Sequence, residues 1–488
     1  MASARNAIKP SLRALANLES GAFIDLENEA GKLPQYDPES RPDGLIDLSG
    51  AINGLMDDFL GEEMDEFAKS YDFHQGLLAK LLVVDDVADI HSHSIWRSDG
   101  TQSKFNPALP VNADDILVTN GVTSLIDLMA FGMCEPGEGI MVITPTYMMF
   151  PHDVCARTGV RLIPVHLDNI DDQFDVRRSS KLIEAMEKAH SAARKDGSNP
   201  KALLLCNPNN PCGRTYPRST LVDIARFCGR RGMHLLSDEI YAMSTCSPSE
   251  PFTSMLSIPD DPARGVFAEN VHCMYGASKD FGCGGLRLGF LVTRNELLWK
   301  SIRRLALFTW VSTFPAAFFS HFLRREDAVD RYLSTYRERL AKRYAVTAEL
   351  LREEGIPFGP ANGGIFVFVR LTKWLVYFGH PSKTDGSREM QLCQYLLDEA
   401  GVFLSPGVLS LSPVPGCFRL VYTGNAEHVS LAIGRLGKAL QGLEQQRKPS
   451  ALERNSQEDC SGIEKEKGIS EERRPRRSIA RFFLCGNS

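Results

Sequence analysis

Side chains of five different chemistries follow one another along the chain, each close to the end of a short apolar run. They are an amide, a carboxylate, a phenol, an amine and a guanidinium, carried by Asn210, Asp238, Tyr241, Lys279 and Arg287. Together these groups can hold every polar edge of a pyridoxal phosphate ring, with the lysine amine joined to its aldehyde as a Schiff base. Each motif alone is weak, but the ordered set indicates a pyridoxal 5′-phosphate site.

The order of the motifs also suggests how each group is used. Asp238 ends an apolar run, and its carboxylate would pair with the ring nitrogen and keep it protonated; the alternative is an aspartate that caps the next helix. Asn210 and Tyr241 would hydrogen-bond the phenolate oxygen of the ring. Taken by itself, Lys279 would be interpreted as a solvated lysine at the end of a strand. The neighbouring motifs favour a catalytic role instead.

The cofactor's phosphate has a candidate site at the start of a helix. Gly121, Val122 and Thr123 lead into a helix predicted to begin near Ser124, so backbone N–H groups and the helix dipole would face the anion. Arg287 adds a bidentate partner. The turn around this arginine reads G-x-G-G-x-x-x-G and is not followed by an acidic residue at the spacing of a dinucleotide site, so we reject that interpretation.

The bulk composition excludes several classes of function. The chain has 488 residues, 43% apolar and 24% charged, which predicts a globular protein of about two to three domains. A net charge of −6 argues against nucleic acid as a partner. Twelve cysteines without a C-x-x-C pair indicate a reducing compartment. The sequence has no apolar run long enough for a membrane span and no secretory h-region near its start, so we expect a cytoplasmic protein.

The pattern along the chain predicts an α/β protein. Short apolar strands alternate with amphipathic helices, which is typical of a parallel sheet covered on both faces. The strand candidates are Gly139–Thr144, Val160–Val165, Ala202–Cys206, His234–Ser237, Val271–Tyr275 and Leu286–Val292. The predicted organisation is an arm (1–40), a linker that contributes to a small domain (41–74), a large cofactor-binding domain (75–325), a C-terminal small domain (326–443) and a disordered charged tail (444–488).

The order of these motifs resembles the fold type I pyridoxal phosphate enzymes of the class I and II aminotransferase family. Within that family it is most similar to the branch that contains the 1-aminocyclopropane-1-carboxylate synthases. The resemblance covers about residues 43–443, and Asp238 with Lys279 and Arg287 is its most specific part. It implies a three-layer fold, with a mostly parallel central sheet in the large domain and a smaller α+β domain, and a homodimer with pockets at the subunit boundary.

The resemblance also implies roles for single residues. Lys279 would carry the cofactor, be displaced by the substrate and then move the proton of the substrate's Cα. Loss of this proton would leave the substrate as a quinonoid carbanion. Further cofactor contacts are expected from Tyr147, stacked on the ring, and Ser278. The substrate's α-carboxylate would bind Arg419, an arginine in an apolar strand that is costly to bury unpaired. Asn53 and Ile52 would lie in the loop that crosses the substrate pocket.

Three positions depart from the family's pattern. Gly276 stands where a serine usually binds the phosphate. Ile52 replaces a glutamate typical of the cyclopropane-forming synthases. Phe73 replaces a tyrosine that reaches the neighbouring subunit's site, and Tyr71 is the alternative for that role. These changes argue against S-adenosylmethionine as the substrate.

We therefore expect an aminotransferase that moves the α-amino group of a bulky or unusual amino acid to a keto acid. A lyase of the synthase-like branch, either a carbon–sulfur lyase or a cyclase, is the first alternative. An inactive regulator with the same fold is the second, and the intact set of site residues argues against it. The His91-Ser92-His93 pair lacks a third ligand nearby in sequence, so we predict that no metal is bound.

Overall fold

The structure is a computed structural model that describes residues 22–71, 105–247, 250–379 and 387–446. The predictions for Phe73, His91 and His93 lie outside these ranges. The same holds for the first part of the predicted arm and for residues 447–488 of the predicted tail.

Strands and helices alternate through the larger part of the chain. The strands, β1 to β12 in chain order, are Ile46–Asp47, Ile116–Thr119, Gly139–Ile143, Arg161–Val165, Pro200–Cys206, His234–Asp238, Val271–Gly276, Gly289–Thr293, Phe366–Arg370, Val402–Phe403, Ser405–Pro406 and Cys417–Val421. The α-helices, α1 to α11, are Ala22–Gly31, Asp57–Ser70, Val122–Met133, Phe150–Cys155, Ser179–Lys195, Arg218–Arg230, Glu296–Leu305, Thr313–Arg324, Glu326–Glu353, Arg388–Tyr395 and Ala426–Gln446.

A seven-stranded sheet lies at the centre of the large domain, in the order β2-β8-β7-β6-β5-β3-β4. The pairs from β4 through β7 are parallel. Strand β8 runs antiparallel to both β7 and β2. Strand β2 was not predicted from the sequence, but the prediction of a mostly parallel central sheet is confirmed.

Both faces of this sheet are buried, because successive side chains of a strand point to opposite sides. In β3, Ile140 and Val142 pack in a core formed with α3 and α7. Their neighbours Met141 and Ile143 pack in a separate core formed with α5 and α6. Helix, sheet and helix therefore form the three layers that the sequence pattern predicts.

The smaller domain is built on a three-stranded antiparallel sheet in the order β11-β12-β9. Strand β1, from near the start of the described chain, pairs in parallel with β10, so that Ile46 lies opposite Val402. This pairing attaches the segment that follows the arm to the C-terminal part of the chain. It brings the loop after β1 close to the end of the large sheet.

Two element starts beside the predicted phosphate site differ from the sequence prediction. Strand β8 begins at Gly289 rather than Leu286, because Arg287 adopts a left-handed conformation with φ of 53°. Helix α3 begins at Val122 rather than near Ser124, after Gly121 with φ of 125°. A residue in the left-handed conformation cannot continue a strand. Arg287 therefore belongs to the turn before β8 and not to the strand itself.

Metal clusters and membrane-spanning helices are both absent from the described ranges. No group of three or more His, Cys, Asp or Glu side chains there is arranged to hold a metal ion. No single described helix is long and apolar enough to cross a membrane. The helical segments Glu296–Thr309 and Thr313–Arg324 together have the length and composition of a membrane span, but they are bent by 118° relative to each other. All ten described cysteines are free.

Truncating one central strand residue tests the layered core. Leu204 in β5 is 1% exposed and packs in the core on the α3 side of the sheet. We expect Leu204→Ala to lower the free energy of unfolding by about 2–5 kcal/mol, because it leaves a cavity. Val176→Ala, at an exposed position, should cost less than about 0.5 kcal/mol. Urea unfolding followed by tryptophan fluorescence measures both; equal effects would contradict this placement of the core.

Candidate active site

A cavity of about 410 Å³ lies at the carboxyl ends of the central strands. This is the edge at which open α/β sheets bind ligands. The cavity is lined by residues from several separate stretches of the chain: Ala51, Ile52, Asn53, Val122, Thr123, Ile126, Tyr147, Cys206, Asn210, Asp238, Ile240, Tyr241, Ser278, Lys279, Gly282, Gly284, Gly285 and Arg287. Most of the site residues predicted from sequence therefore meet in one place.

The register of the sheet brings the carboxylate and the amine together. Asp238 is the last residue of β6 and lies opposite Cys206 of β5 and Met274 of β7. Lys279 follows the end of β7 by three residues. Because neighbouring parallel strands end at the same edge, both side chains reach the cavity.

Lys279 is half-buried and is held at both its amine and its backbone. Its Nζ donates to the carbonyl of Ala51 at 2.7 Å. Its own carbonyl accepts from Nδ2 of Asn53 at 2.8 Å. Burial lowers the pKa of the amine to about 8, the positive charges of Arg419 and Arg287 act in the same direction, and Asp238 opposes them. A substantial fraction of the amine is therefore neutral near physiological pH, as a nucleophile or proton acceptor requires.

Asp238 is buried, and its carboxylate accepts a hydrogen bond from the N–H of Ile240 at 3.2 Å. Burial raises its pKa to about 7, with Glu239 adding to the rise and Lys279 acting against it. A protonated ring nitrogen beside this carboxylate would favour its ionised form, since an opposite charge offsets the cost of burial. This is the partner predicted for Asp238 from the sequence.

The start of α3 and the turn at Arg287 together form a cradle. A Cβ added to Gly121 would lie 2.5 Å from Nη2 of Arg287, and one added to Gly289 would lie 2.4 Å from the backbone carbon of Gly121. Only glycines allow this close approach. Nη1 of Arg287 donates to the carbonyl of Gly284 at 3.1 Å. The free N–H groups of the first helical turn and the guanidinium are suited to bind a phosphate.

The residues predicted to contact the cofactor ring line the cavity together with Asp238 and the cradle at Arg287. Tyr241 is fully buried, and Tyr147 is half-buried and packs edge-on against Phe150. Burial raises the pKa of both phenols, so both remain neutral hydrogen-bond donors. Asn210 lines the same cavity, next to Arg419.

Arg419 is a buried cation, 2% exposed. Its Nη1 donates to Oδ1 of Asn210 at 3.0 Å and its Nη2 to the carbonyl of Ser49 at 2.5 Å. Its Nε is buried without a hydrogen-bond partner, and within the described chain no carboxylate forms a salt bridge with it. Because a buried guanidinium is stable only when it is paired, the position is suited to a carboxylate ligand.

The loop after β1 lines the cavity with Ala51, Ile52 and Asn53. Asn53 is buried and uses its side-chain amide on the Lys279 carbonyl, which makes it a support for the lysine in this structure. Ile52 is 73% exposed, and its carbonyl accepts from Oγ1 of Thr423 at 2.7 Å. Tyr71 packs against Phe67 and Phe314 of its own chain.

Two acidic groups near this site were not predicted from the sequence. Glu27, on α1 of the predicted arm, is half-buried; burial and Asp47 raise its pKa, whereas Arg419 and Lys279 lower it. Asp280 is buried directly after the lysine. No sequence signal places Glu27 here, because only the fold brings the arm to the cavity. Asp280 is adjacent to Lys279 in the chain, but most of its partners are distant in sequence.

The residues present fit pyridoxal 5′-phosphate. An amine, an ionisable buried carboxylate, two phenols and an amide surround one cavity, and a glycine-lined cradle with a guanidinium closes one end. When bound, this cofactor supplies an electrophilic aldehyde and an electron-withdrawing ring. Lys279, Asp238 and Arg287 would hold its aldehyde, nitrogen and phosphate ends.

Comparison with known proteins agrees with this geometry. The family model "Aminotransferase class I and II" matches residues 95–436. The chain is 32% identical over 338 residues to 1-aminocyclopropane-1-carboxylate synthase 7 of Arabidopsis thaliana, covering 69% of this chain and 71% of the relative. It is 30% identical to the human 1-aminocyclopropane-1-carboxylate synthase-like protein 1, covering 85% and 79%.

The fold has close counterparts among solved structures. The aspartate aminotransferase from Thermus thermophilus with maleate superposes with a TM-score of 0.66 at 19% identity, covering 88% of this chain and 100% of that one. A likeness at this level of identity concerns the fold alone. With the family match over most of the chain, it shows that this protein belongs to the class I and II aminotransferases, a family that depends on pyridoxal 5′-phosphate.

Proposed function

We propose that this protein is an aminotransferase that transfers the α-amino group of an amino acid to a keto acid. The observation that carries the proposal is that Lys279 and Asp238 line one cavity together with Asn210. Arg419, a buried guanidinium that pairs with no carboxylate of the described chain, donates to this Asn210. Lys279 attaches the cofactor and moves the proton at the substrate's Cα. Asp238 holds the ring nitrogen protonated, and Arg419 binds the α-carboxylate.

The arrangement separates the charges that the reaction needs. Burial lowers the pKa of Lys279, and Arg419 and Arg287 lower it further, which keeps the amine available as a base between two anion-binding groups. Asn210 joins the two ends, because it lines the ring cavity and accepts from Arg419. A substrate carboxylate on the guanidinium would then lie close to both the ring and the amine.

The side chain of the substrate is expected to be uncharged or bulky. Ile52 presents an apolar side chain at the cavity where the synthases of the resembling branch have a glutamate. Because an apolar surface offers no partner for a cation, a cationic side chain would not be favoured there. This replacement is the reason to prefer amino transfer to the cyclopropane-forming reaction.

A lyase is the second candidate, and the relatives favour it. The Arabidopsis relative is named a synthase and the human relative a synthase-like protein. Removal of the Cα proton by Lys279 is common to both reactions. The two functions therefore differ in the step after proton removal, which depends on the substrate.

Single-turnover incubation of the holoenzyme separates these functions. With one amino acid and no keto acid, we expect an aminotransferase to release about one keto acid per site and to stop with the cofactor in its amine form. Adding a keto acid should restore the visible absorption of the lysine-linked cofactor. Absorbance and keto acid are measured across a panel of amino acids.

Two results of that experiment would contradict the proposal. Continued release of ammonia and keto acid without a second substrate would show a lyase. If no amino acid of the panel is consumed and the absorption of the lysine-linked cofactor stays unchanged, the result would favour a regulator. Lys279→Ala is the control, since it should abolish both the lysine-linked absorption and turnover.

The depressed pKa of Lys279 predicts how cofactor attachment depends on pH. The amine's pKa is lowered to about 8, so its neutral fraction rises with pH and becomes constant above that value. We expect the rate of attachment to the apoprotein to increase about tenfold per pH unit below this point and then to level off. Stopped-flow absorbance measures the rate. The same reaction with Nα-acetyl-lysine, which should level off only near the ordinary pKa of about 10.4, is the control; coincident profiles would refute the assignment.

We also propose that the protein is a homodimer. Large apolar side chains are exposed on α7 and the turn that follows it, namely Leu297, Leu307, Phe308 and Trp310. Such a concentration of exposed apolar side chains in one short stretch of chain is typical of a protein interface. The carbonyl of Thr309 in this turn accepts from the N–H of Asn120, directly before the phosphate cradle. A second copy bound there would lie beside the cofactor site.

A charge within this surface should separate the subunits. Phe308 is 85% exposed, so Phe308→Asp should not disturb the fold of one subunit, yet it would bury a carboxylate in an interface. We expect sedimentation velocity to show a dimer for the native protein and a shift toward monomer for the variant. Leu431→Asp, at an exposed site on α11, is the matched control and should remain dimeric. A monomeric native protein would refute the proposal.

A further inference from the structure

Asp280, the residue after Lys279, lies at the centre of a buried polar network. It is fully buried, and its carboxylate accepts three hydrogen bonds. The N–H of Met243 donates to Oδ2 at 2.8 Å, Oη of Tyr275 to Oδ2 at 3.0 Å, and Oγ of Ser244 to Oδ1. The donors come from β7 and from the segment after Tyr241, both of which lead into the active site.

The same network continues into α9. Oγ of Ser244 is 2.7 Å from Oη of Tyr336, and Oη of Tyr332 donates to the backbone carbonyl of Asp280 at 3.1 Å. The ring of Phe281 stacks on Tyr332 with centroids 5.4 Å apart. The chain on the far side of the lysine is therefore fastened to this long helix by both side-chain and backbone contacts.

From these contacts we propose that Asp280 is a positioning residue, which fixes Lys279 relative to Tyr241 by tying the segments of both to α9. This inference rests on the proposed function only in that Lys279 and Tyr241 both hold the cofactor. Asp280 is absent from the residues that line the described cavity, so it acts through its neighbours and does not itself contact the substrate.

The chemistry of the network requires an acceptor at this position. Three donors converge on two oxygens, and an ionised carboxylate can accept from all of them. An amide of the same size has one acceptor oxygen and presents N–H groups in place of the other, so it cannot accept from all three donors and the buried network would have to rearrange. Burial raises the pKa of Asp280 to about 6, and its hydrogen bonds and Arg337 oppose that rise, so the carboxylate remains mostly ionised at neutral pH.

Asp280→Asn in the full-length holoenzyme tests the inference. We expect kcat to fall about 100-fold with a much smaller change in KM, because a displacement of about 1 Å of a catalytic group has an effect of that size. The visible circular dichroism of the bound cofactor, measured per cofactor bound, should also weaken, since the ring is held less firmly. Ser244→Ala removes one donor and the link to Tyr336, and should produce a smaller change in the same direction.

Glu63→Gln provides the matched control. Glu63 is also a buried carboxylate; it accepts from Nη1 of Arg325 at 2.6 Å, directly before the start of α9, and this ion pair involves no part of the lysine segment. The substitution should lower the midpoint of thermal unfolding while kcat and the cofactor's circular dichroism stay native.

The outcomes distinguish this inference from the proposed function. Native kcat and circular dichroism in both Asp280→Asn and Ser244→Ala would overturn it, as would an equal loss in Glu63→Gln. If Asp280→Asn does not fold, Ser244→Ala decides. A native protein that shows no lysine-linked cofactor would refute the proposed function itself, and the inference with it.

Discussion

The excess of positive charge around one cavity is the constraint on which the rest of the site depends. Lys279 and Arg287 line a cavity in which Asp238 is the lining carboxylate, and Arg419 is hydrogen-bonded to Asn210 of its wall. Like charges at low dielectric repel strongly, and they add to burial in lowering the pKa of Lys279. Such an arrangement is stable when anions bind at its two ends. A phosphate at the cradle and a carboxylate at Arg419 would supply them.

The fold satisfies this constraint through the ends of parallel strands. Strands β5, β6 and β7 end at one edge, so that Asn210, Asp238 and Lys279 meet although they are distant in sequence. The smaller domain contributes Arg419 from β12, and the loop after β1 contributes the carbonyls of Ser49 and Ala51. These carbonyls hold both cations in place. The loop is itself positioned by the pairing of β1 with β10, so strand pairing in the smaller domain helps to set the geometry of the lysine.

Sequence reasoning could predict the parts of the site whose signal is local. Lys279, Asp238 and Asn210 lie at or shortly after the ends of apolar runs, so a strand prediction places them at one edge of the sheet. Positions that depend on backbone conformation were less accessible: the left-handed Arg287 moved the start of β8 to Gly289. Tertiary partners were not accessible at all. Glu27 reaches the site through the packing of α1, and Asp280 acquires its role from Ser244 and Tyr336, which lie far from it in the chain.

Gly276 illustrates how a departure from the family's pattern is built into the packing. A Cβ at this position would lie 2.7 Å from the carbonyl of Leu288 and 3.1 Å from side-chain carbons of Ile240 and Val122. The antiparallel pairing of β7 with β8 has therefore closed around the glycine, and a serine would need a shift of the strand or of the first turn of α3. That turn also forms the phosphate cradle. A serine at this position would therefore add one hydroxyl donor but displace the backbone N–H donors of the turn. In place of that hydroxyl, the cavity offers a phosphate Arg287, the backbone N–H groups of α3 and the hydroxyl groups of Thr123 and Ser278, which line it.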